Sequence, residues 1–410
     1  MQPSPLANNQ RITTIDMLRG FALFGIFLVN MPSFFSPAFQ YDYYSLPIAY
    51  EGVDQWVRLF FDLFVQARFY PIFSFLFGFG FFIFLSRAEL KSDHPRKLFV
   101  RRLTILLVIG LLHLVFLWYG DILHTYALTG FLLFLFYSRK PRTILIWAFA
   151  LLVLFYGLTA AQLLVPDTLM KQVQYMNETV GNKKVEESIT TYTEAGFGEL
   201  IAYRFSEEVL PILQLTIFSV PLILALFLFG LYVAKRGIIA DPAKHIRLIK
   251  KVWITSGVFA VPFTLWLGAV QLNVVDYGYK EDTAEFLLQQ ISGLFLAAFY
   301  ISSFVLFVQK VPITKGLRAL DAAGRMALTN YLLQTFFAVI LALGFDLFNR
   351  ISLSIGLLIC LAFFSLQLIF SLYWLKYFQY GPFEWVWRSL TYRQKQPFWR
   401  TDRFEKTGDM

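Results

Sequence analysis

Ionisable side chains are rare within long apolar stretches, because they are costly in a bilayer, and they usually mark a functional site there. His113 lies about six residues, or roughly 9 Å, inside the end of such a stretch. Asp121 and His124 follow at the turn into the next stretch. An imidazole beside a carboxylate can act as a general base toward a hydroxyl or amine, or can take up an acyl group itself. We therefore predict that His113 is catalytic and that Asp62 or Asp121 orients it.

Further polar side chains lie toward the same ends of their apolar stretches and are predicted to surround His113. The group contains Asn30, Gln66, Arg68, Tyr126, Arg204, Glu207 and Glu208. Four of them, Asn30, Gln66, Arg68 and Arg204, are predicted to bind substrate. The alternative is structural, because a histidine within a membrane helix can also hydrogen-bond across helices without doing chemistry.

A second polar group lies near the opposite ends of the stretches and is rich in arginine. It contains Asp16, Arg19, Arg101, Arg102, Arg325, Asn330, Glu384 and Arg388. Arginine presents a planar fork of donors to phosphate, so several converging arginines could hold a pyrophosphate or a phosphorylated ribose. The alternative is that these arginines are surface anchors and that Asp16–Arg19 and Glu384–Arg388 are local helix pairs. The residues predicted to form the binding site are Asp16, Arg19, Arg102, Arg325 and Asn330.

Long apolar helices must position both groups. The chain has 410 residues, of which 57% are hydrophobic and 15% are charged, whereas soluble domains average about 25% charged residues. A spanning helix needs about 20 mostly apolar residues. The candidate stretches are 15–33, 58–86, 102–119, 122–138, 143–164, 208–234, 252–273, 285–309, 325–347 and 352–376. The sequence therefore predicts an all-α, polytopic transmembrane helix bundle of about ten spans.

The distribution of positive charge predicts the orientation of the bundle. With ten spans, 28 of the 36 Lys and Arg residues lie on the side of the N-terminus, and such residues are enriched in cytoplasmic loops. Both termini are therefore predicted to be cytoplasmic. The predicted regions are a cytoplasmic tail at 1–14, an N-terminal membrane half at 15–164, an extracytoplasmic acidic loop at 165–207, a C-terminal membrane half at 208–376 and a cytoplasmic amphipathic tail at 377–410.

Several classes of site are not supported by the sequence. The single cysteine, Cys360, excludes a disulfide framework and a cysteine metal site. The four histidines are scattered and no ligand pair has tight spacing, so we predict no metal. There is no phosphate-binding loop and no dinucleotide fingerprint. The net charge of +9 is assigned to the loops facing the cytoplasm rather than to nucleic acid binding.

Five stretches together resemble the YeiB family of bacterial inner-membrane proteins, over residues of about 11 to 400. They are Asp16-Met-Leu-Arg19-Gly20 with Val29-Asn30, Phe75-Leu-Phe-Gly78-Phe-Gly80, the segment from Arg101 through His113 to Asp121, Gly324-Arg325-Met-Ala-Leu-Thr329-Asn330-Tyr331, and Gly381-Pro-Phe-Glu384-Trp385-Val-Trp387-Arg388. This resemblance implies a multi-pass protein of the bacterial cytoplasmic membrane.

The N-terminal half of that family is similar to transmembrane acyltransferases such as heparan-α-glucosaminide N-acetyltransferase. Those enzymes pass an acyl group from cytoplasmic acyl-CoA to a sugar across the membrane. Asp16, Arg19 and Asn30 match the pattern of their first helix. The acetyltransferase also has an essential histidine in the following outer loop, whereas residues 31–57 here contain none, so the replacement for it is not identified by the resemblance.

Three functions remain open at this point. The first is an acyltransferase that binds acyl-CoA at the arginine group and the acceptor, a cell-envelope glycan or similar molecule, around His113. The second is a transporter or flippase for an anionic metabolite or a lipid-linked substrate, without covalent chemistry. The third is a structural or sensory membrane protein whose polar groups pair locally. The expected partners are the lipid bilayer, a small-molecule or glycan substrate and, on base rates, a second copy in a homodimer.

Overall fold

The computed structural model describes residues 12–400, which form α-helices joined by short turns, with one isolated bridge between Phe378 and Trp399. The helices are α1 (Thr13–Phe34), α2 (Ala38–Tyr43), α3 (Val53–Phe64), α4 (Phe69–Glu89), α5 (Pro95–Phe116), α6 (Leu123–Leu132), α7 (Pro141–Ala161), α8 (Asp167–Glu194), α9 (Phe197–Arg204), α10 (Leu210–Lys235), α11 (Ile246–Gln271), α12 (Glu281–Lys310), α13 (Lys315–Arg325), α14 (Ala327–Val339), α15 (Leu353–Tyr377) and α16 (Pro382–Tyr392). The predicted all-α class is confirmed.

Within residues 12–400, nine helical stretches are long and apolar enough to cross a membrane, and they coincide with nine of the predicted spans. The remaining predicted span, 122–138, is a shorter apolar helix at Leu123–Leu135. Its length of roughly 20 Å is less than the hydrocarbon thickness of about 30 Å. The cytoplasmic placement of the termini remains a prediction, and the outermost parts of both tails lie outside the described residues.

The two segments predicted to lie outside the membrane are also largely helical. Residues 165–207 contain α8 and α9. In the C-terminal tail, α16 packs against α5 and α14. The indole of Trp387 donates a hydrogen bond to the carbonyl of Arg102 (2.9 Å), and Arg101 donates to the carbonyl of Thr391 (2.9 Å). Helix α16 is therefore docked on the bundle.

Reciprocal glycines allow α4 and α10 to cross closely. Gly78 on α4 faces the backbone of Phe227 on α10, and Gly230 on α10 faces the backbone of Phe75 on α4. Small residues at such crossings let helix backbones approach, so dispersion contacts can form without a side chain between them. The same arrangement holds α1 against α13, because Gly20 faces Leu320 and Gly324 faces Asp16. These crossings fix the walls of the cavity described below.

We expect Gly78→Ala to destabilise the protein by about 1–3 kcal/mol, the usual cost of overpacking. A Cβ atom on Gly78 would overlap the carbonyl oxygen of Phe227, whereas a Cβ on Gly80 meets nothing within 4 Å. Gly80→Ala, two residues away on the same helix, is therefore the matched control and should not destabilise the protein, since alanine is favoured over glycine within a helix. Thermal unfolding of both variants in detergent measures the difference, and equal midpoints would show that the α4–α10 crossing tolerates a methyl group.

Candidate active site

A cavity of about 520 Å³ lies between α1, α4, α5, α6, the α13–α14 junction and α16. Arg19, Arg102 and Arg325 line one end of it, and Leu123 and Tyr331 line the other. The structure thus brings together three of the five residues predicted for phosphate binding from three separate helices. A fourth, Asp16, lines the cavity with them.

The arginine-lined end carries an excess of positive charge. Its cationic side chains are Arg19, Arg87, Lys91, Arg102, Arg325 and Arg388, and its acidic ones are Asp16 and Glu384. A cleft lined by one sign of charge and bounded by apolar walls concentrates ions of the opposite sign. This end of the cavity is therefore suited to an anionic group.

Arg102 is held at this end by aromatic rings. Its guanidinium carbon lies 3.6 Å from the ring centroid of Trp387 and 5.0 Å from that of Phe84. No carboxylate among residues 12–400 forms an ion pair with it. Stacking on aromatic faces fixes the plane of a guanidinium and leaves its N–H groups available in that plane. Arg102 is therefore positioned to bind an anion from the cavity.

The two acids at this end have different roles. Asp16 accepts a hydrogen bond from Arg19 at 2.6 Å, which is the predicted local pair. Glu384 does not pair with Arg388 but accepts hydrogen bonds from the backbone N–H groups of Leu328 (2.7 Å) and Thr329 (3.0 Å) at the start of α14. Burial raises the pKa of Glu384. Its carboxylate thus ties α16 to the first turn of α14.

An apolar passage leads from the charged end toward α6. Its walls include Ile26, Phe73, Leu76, Phe77, Phe79 and Leu106. Tyr126 lines the far part, and its hydroxyl lies 2.7 Å from the Ser74 hydroxyl and donates to the carbonyl of Tyr70 at 3.1 Å. The polar atom of Tyr126 is therefore satisfied within the protein, and its ring forms the wall.

Beyond the passage, two histidines flank one carboxylate in the fully packed interior. His113 Nδ1 lies 2.9 Å from Asp121 Oδ2, and His124 Nδ1 lies 2.9 Å from Asp121 Oδ1. The other ring nitrogens contact hydroxyls, at 3.0 Å for His113 and Thr335 and 3.1 Å for His124 and Thr216. Asp121 therefore fixes both rings. The histidines and Asp121 form what we call the His113 cluster.

The two histidines of the His113 cluster affect the pKa of Asp121. Burial acts to raise the pKa of Asp121, but the contacts with His113 and His124 outweigh it, so the pKa lies below its ordinary value. A Cβ on Gly110 would overlap the backbone of His124. That glycine therefore gives the turn at 121–124 room to lie against α5.

We expect Asp121→Asn to lower stability by about 1–3 kcal/mol near neutral pH, because it removes a buried charged acceptor shared by two rings. A carboxylate whose folded pKa is depressed contributes stability above its unfolded pKa and loses it as the pH falls through the folded pKa. The difference between wild type and variant should therefore shrink on acidification. Unfolding midpoints over a pH series measure it, with the exposed Asp93→Asn as control. Equal stability at neutral pH would contradict the assignment.

Tyr331 separates the cavity from the His113 cluster. Its ring centroid lies 5.2 Å from that of His113, and the side chain also lines the cavity. On α5, His113 follows Arg102 by eleven residues, a rise of about 16 Å. The cavity therefore covers roughly the distance from the arginines to the wall of the cluster. The ring of Tyr331 forms the wall between the two.

Asp62, Gln66 and Arg68 lie apart from the His113 cluster. Asp62 pairs with Arg58 at 2.7 Å and accepts a hydrogen bond from Gln289 at 3.4 Å. Asp121, and not Asp62, is the carboxylate beside His113. The buried Arg68 donates to the carbonyls of Gln66 and Gln289 and to the Ser292 hydroxyl (2.8 Å), so it fastens the α3–α4 turn to α12. The sequence could not show this, since the partners come from a distant helix.

Three other predicted residues are placed elsewhere. Asn330 is buried and donates to the carbonyl of Ala323 (3.2 Å) and the hydroxyl of Ser371 (2.9 Å), so it joins helices and does not line the cavity. Arg204 donates to the carbonyl of Leu114 at 3.1 Å, next to His113. Asn30 is half-buried near the end of α1.

Two site residues were missed by the sequence reasoning. Tyr331 follows the Thr329-Asn330 pair, and Trp387 lies within the predicted amphipathic tail. The only sequence signal for their position at the cavity is that each lies within a motif of polar residues. The described residues contain no group of three or more His, Cys, Asp or Glu side chains arranged to hold a metal ion.

Comparisons with known proteins give consistent results. Residues 233–394 match a family model described as a protein of unknown function, DUF418. The chain is 34% identical over 408 residues to the uncharacterized protein YxaH of Bacillus subtilis (strain 168), covering 96% of this chain and 97% of that one. It is 29% identical over 397 residues to the uncharacterized protein YeiB of Escherichia coli (strain K12), covering 95% and 98%. No solved structure matches the chain significantly.

Proposed function

This chain belongs to the YeiB family of DUF418 proteins, and we propose that it is an acyltransferase of the bacterial cytoplasmic membrane. It takes an acyl group from cytoplasmic acyl-CoA and passes it to a cell-envelope glycan or a similar acceptor on the other side. The observation that carries the proposal is the cavity that runs from the arginines to Tyr331, directly beside the His113 cluster.

The two ends of the cavity fit the two ends of an acyl-CoA. The phosphates of the donor require several guanidinium groups, and Arg19, Arg102 and Arg325 line one end. The pantetheine arm is long, narrow and mostly uncharged, which suits the passage lined by phenylalanines. An extended pantetheine arm is about as long as the rise of about 16 Å that separates Arg102 from His113 along α5. The thioester would then lie at Tyr331.

His113 is the base in this proposal. Its Nδ1 is held by Asp121, so Nε2 is the nitrogen that exchanges a proton. The hydroxyl of Thr335, 3.0 Å from Nε2, occupies the position that an acceptor hydroxyl would take. The acceptor oxygen forms a bond to the thioester carbonyl carbon as the carbon–sulfur bond breaks. Its proton passes to His113 and then to the departing CoA thiolate.

The first experiment is acetyl-CoA binding to the detergent-purified protein, followed by its unfolding midpoint. Acetyl-CoA should raise the midpoint, and S-acetylpantetheine, which lacks the phosphates of CoA, should not. Arg19→Ala should weaken the effect of acetyl-CoA. If no acyl-CoA shifts the midpoint at millimolar concentration, the donor assignment is wrong. If acetyl-CoA binds but no extract of cell-envelope molecules causes the protein to release CoA thiol from it, the result favours transport over acyl transfer.

A further inference from the structure

A second, much smaller cavity of about 20 Å³ lies on the side of the His113 cluster away from the arginines. Its walls come from the end of α1, from α2, from the residues that follow α5, from α8 and from the junction of α9 and α10. Its polar lining consists of Ser33, Ser36, Gln40, Tyr119, Ser188, Tyr192, Arg204 and Glu208. A volume of this size holds about one water molecule or one hydroxyl group.

Four polar side-chain atoms at this outer cavity have no partner with good hydrogen-bond geometry among residues 12–400. They are Gln40 Oε1, Arg204 Nε and the hydroxyls of Tyr119 and Ser188. Arg204 Nε faces Glu208, and the two hydroxyls have only poorly aligned polar neighbours, Ser33 and Tyr203. Gln40 is 2% exposed and Ser188 is 0% exposed. A buried polar atom without a partner costs more free energy than a typical hydrogen bond contributes net, so several in one place indicate a missing ligand or water. The outer cavity is therefore built for a molecule with donors and acceptors.

The charges at the outer cavity cancel. Arg204 Nε lies 3.4 Å from Glu208 Oε2, and the Tyr192 hydroxyl donates to both carboxylate oxygens at 2.8 and 2.9 Å. Trp118 and Phe34 also line the cavity, with ring centroids 4.5 Å apart. A neutral set of amide, hydroxyl and paired charged groups beside aromatic rings fits a neutral, hydroxyl-rich ligand better than an ion.

The backbone around the outer cavity has a feature frequent at functional sites. Glu208 lies in a single π-helical turn, Phe205–Val209, at the junction between α9 and α10. Such a turn inserts an extra residue into the helix and changes which way the side chains face. Here the turn places Glu208 in the interior, beside Arg204 and Tyr192.

The outer cavity adjoins the same turn of α5 that carries His113. Arg204 Nη2 donates to the carbonyl of Leu114, and Leu117, one turn beyond His113, lines the cavity. The 520 Å³ cavity reaches the cluster from the opposite side through Tyr331. Two cavities of different chemistry thus approach one histidine, as a donor and an acceptor must in a transfer reaction.

We infer that the outer cavity is the acceptor site, and that the acceptor is a neutral, polyhydroxylated molecule such as an uncharged sugar. The acylation of the bound molecule rests on the proposed function. Its binding to the outer cavity does not depend on that function. In the present conformation the cavity takes a single hydroxyl. Helices α2 and α8 cover the cavity, and Tyr44, just after α2, packs against Gly181 of α8. Binding of a whole sugar therefore requires these two helices to move outward.

The test is sugar binding to the purified full-length protein, measured as the shift of its unfolding midpoint. The probes are glucose, N-acetylglucosamine and glycerol at millimolar concentration, compared with the charged glucose 6-phosphate and glucosamine. At least one neutral sugar should raise the midpoint, and neither charged sugar should do so equally. Ser188→Ala should weaken that binding roughly tenfold, which is the loss expected for one hydrogen bond to a buried group.

Two further variants make the result decisive. Gln40→Met keeps the shape of the side chain, removes Oε1 together with the Nε2 group that donates to the Tyr203 hydroxyl (3.0 Å), and should weaken sugar binding like Ser188→Ala. Thr190→Ala changes an exposed position on α8, the helix that carries Ser188, and should leave sugar binding unchanged. If no neutral sugar binds, or if binding survives both cavity variants, the acceptor site is wrong.

The shift of the unfolding midpoint by acetyl-CoA should persist in Ser188→Ala and Gln40→Met. Its absence in the wild type would overturn the proposed function, whatever the sugars do.

Discussion

Replacement of His113 by alanine should abolish acyl transfer while leaving acetyl-CoA binding intact. In the proposed mechanism the imidazole is the base beside the cavity, whereas the donor phosphates would bind about 16 Å away at the arginines. Loss of a positioned general base reduces a rate by about 10²- to 10⁴-fold. The measurement is the release of CoA thiol from acetyl-CoA in proteoliposomes with the acceptor, beside the acetyl-CoA shift of the unfolding midpoint.

The matched control is His94→Ala, because His94 is exposed just before the first residue of the same helix and caps no backbone group with its side chain. That variant should transfer at the wild-type rate. A structural His113 would give a different pattern. His113→Ala would then lower the unfolding midpoint without changing the rate per folded molecule, and this outcome would contradict a catalytic role.

Arg102→Gln should weaken acetyl-CoA binding by about 10- to 100-fold. Arg102 is half-buried, stacks on Trp387 and Phe84, and has no carboxylate partner among the described residues. A hydrogen bond to a charged group contributes about 1.5–3 kcal/mol, and each 1.4 kcal/mol corresponds to about a factor of ten in affinity. Glutamine retains a polar chain of similar shape and removes the charge. Calorimetry on the purified protein measures the loss.

The control for this variant is Arg96→Gln, an exposed position on the same helix that does not line the cavity. Its affinity for acetyl-CoA should equal that of the wild type. Increasing salt should weaken binding to the wild type more than binding to Arg102→Gln, since only the wild type retains that charge. Equal affinities for Arg102→Gln and Arg96→Gln would remove Arg102 from the donor site.

The identity of the orienting carboxylate shows where prediction from the sequence ends. Asp62 and Asp121 were equal candidates to orient His113, because both lie near the same ends of their apolar stretches. The structure places Asp121 at 2.9 Å from the ring and Asp62 with Arg58. The choice depends on how the turn after α5 folds back against Gly110, and spacing along the chain does not encode that contact.

The members of the predicted arginine-rich group have different positions in the structure. Arg19, Arg102 and Arg325 line one cavity, whereas Asn330 bonds to Ala323 and Ser371. In the sequence alone, an arginine and an asparagine of the same motif are equally plausible as ligand-binding residues. Burial and partners distinguish them, and both come from packing between helices.

The sequence by itself determined the all-α class and nine of the ten predicted spans, because a backbone in lipid must satisfy its hydrogen bonds within each segment, and length and apolarity are local properties. It also placed the arginines and His113 at opposite ends of their stretches, because position along a helix is a fixed rise per residue. Only the tertiary structure decided which side chains meet, how Tyr331 divides the cavity from His113, and that Gln40 and Ser188 share an outer cavity. Those facts depend on the rotation and crossing of helices, which small residues at distant positions set jointly.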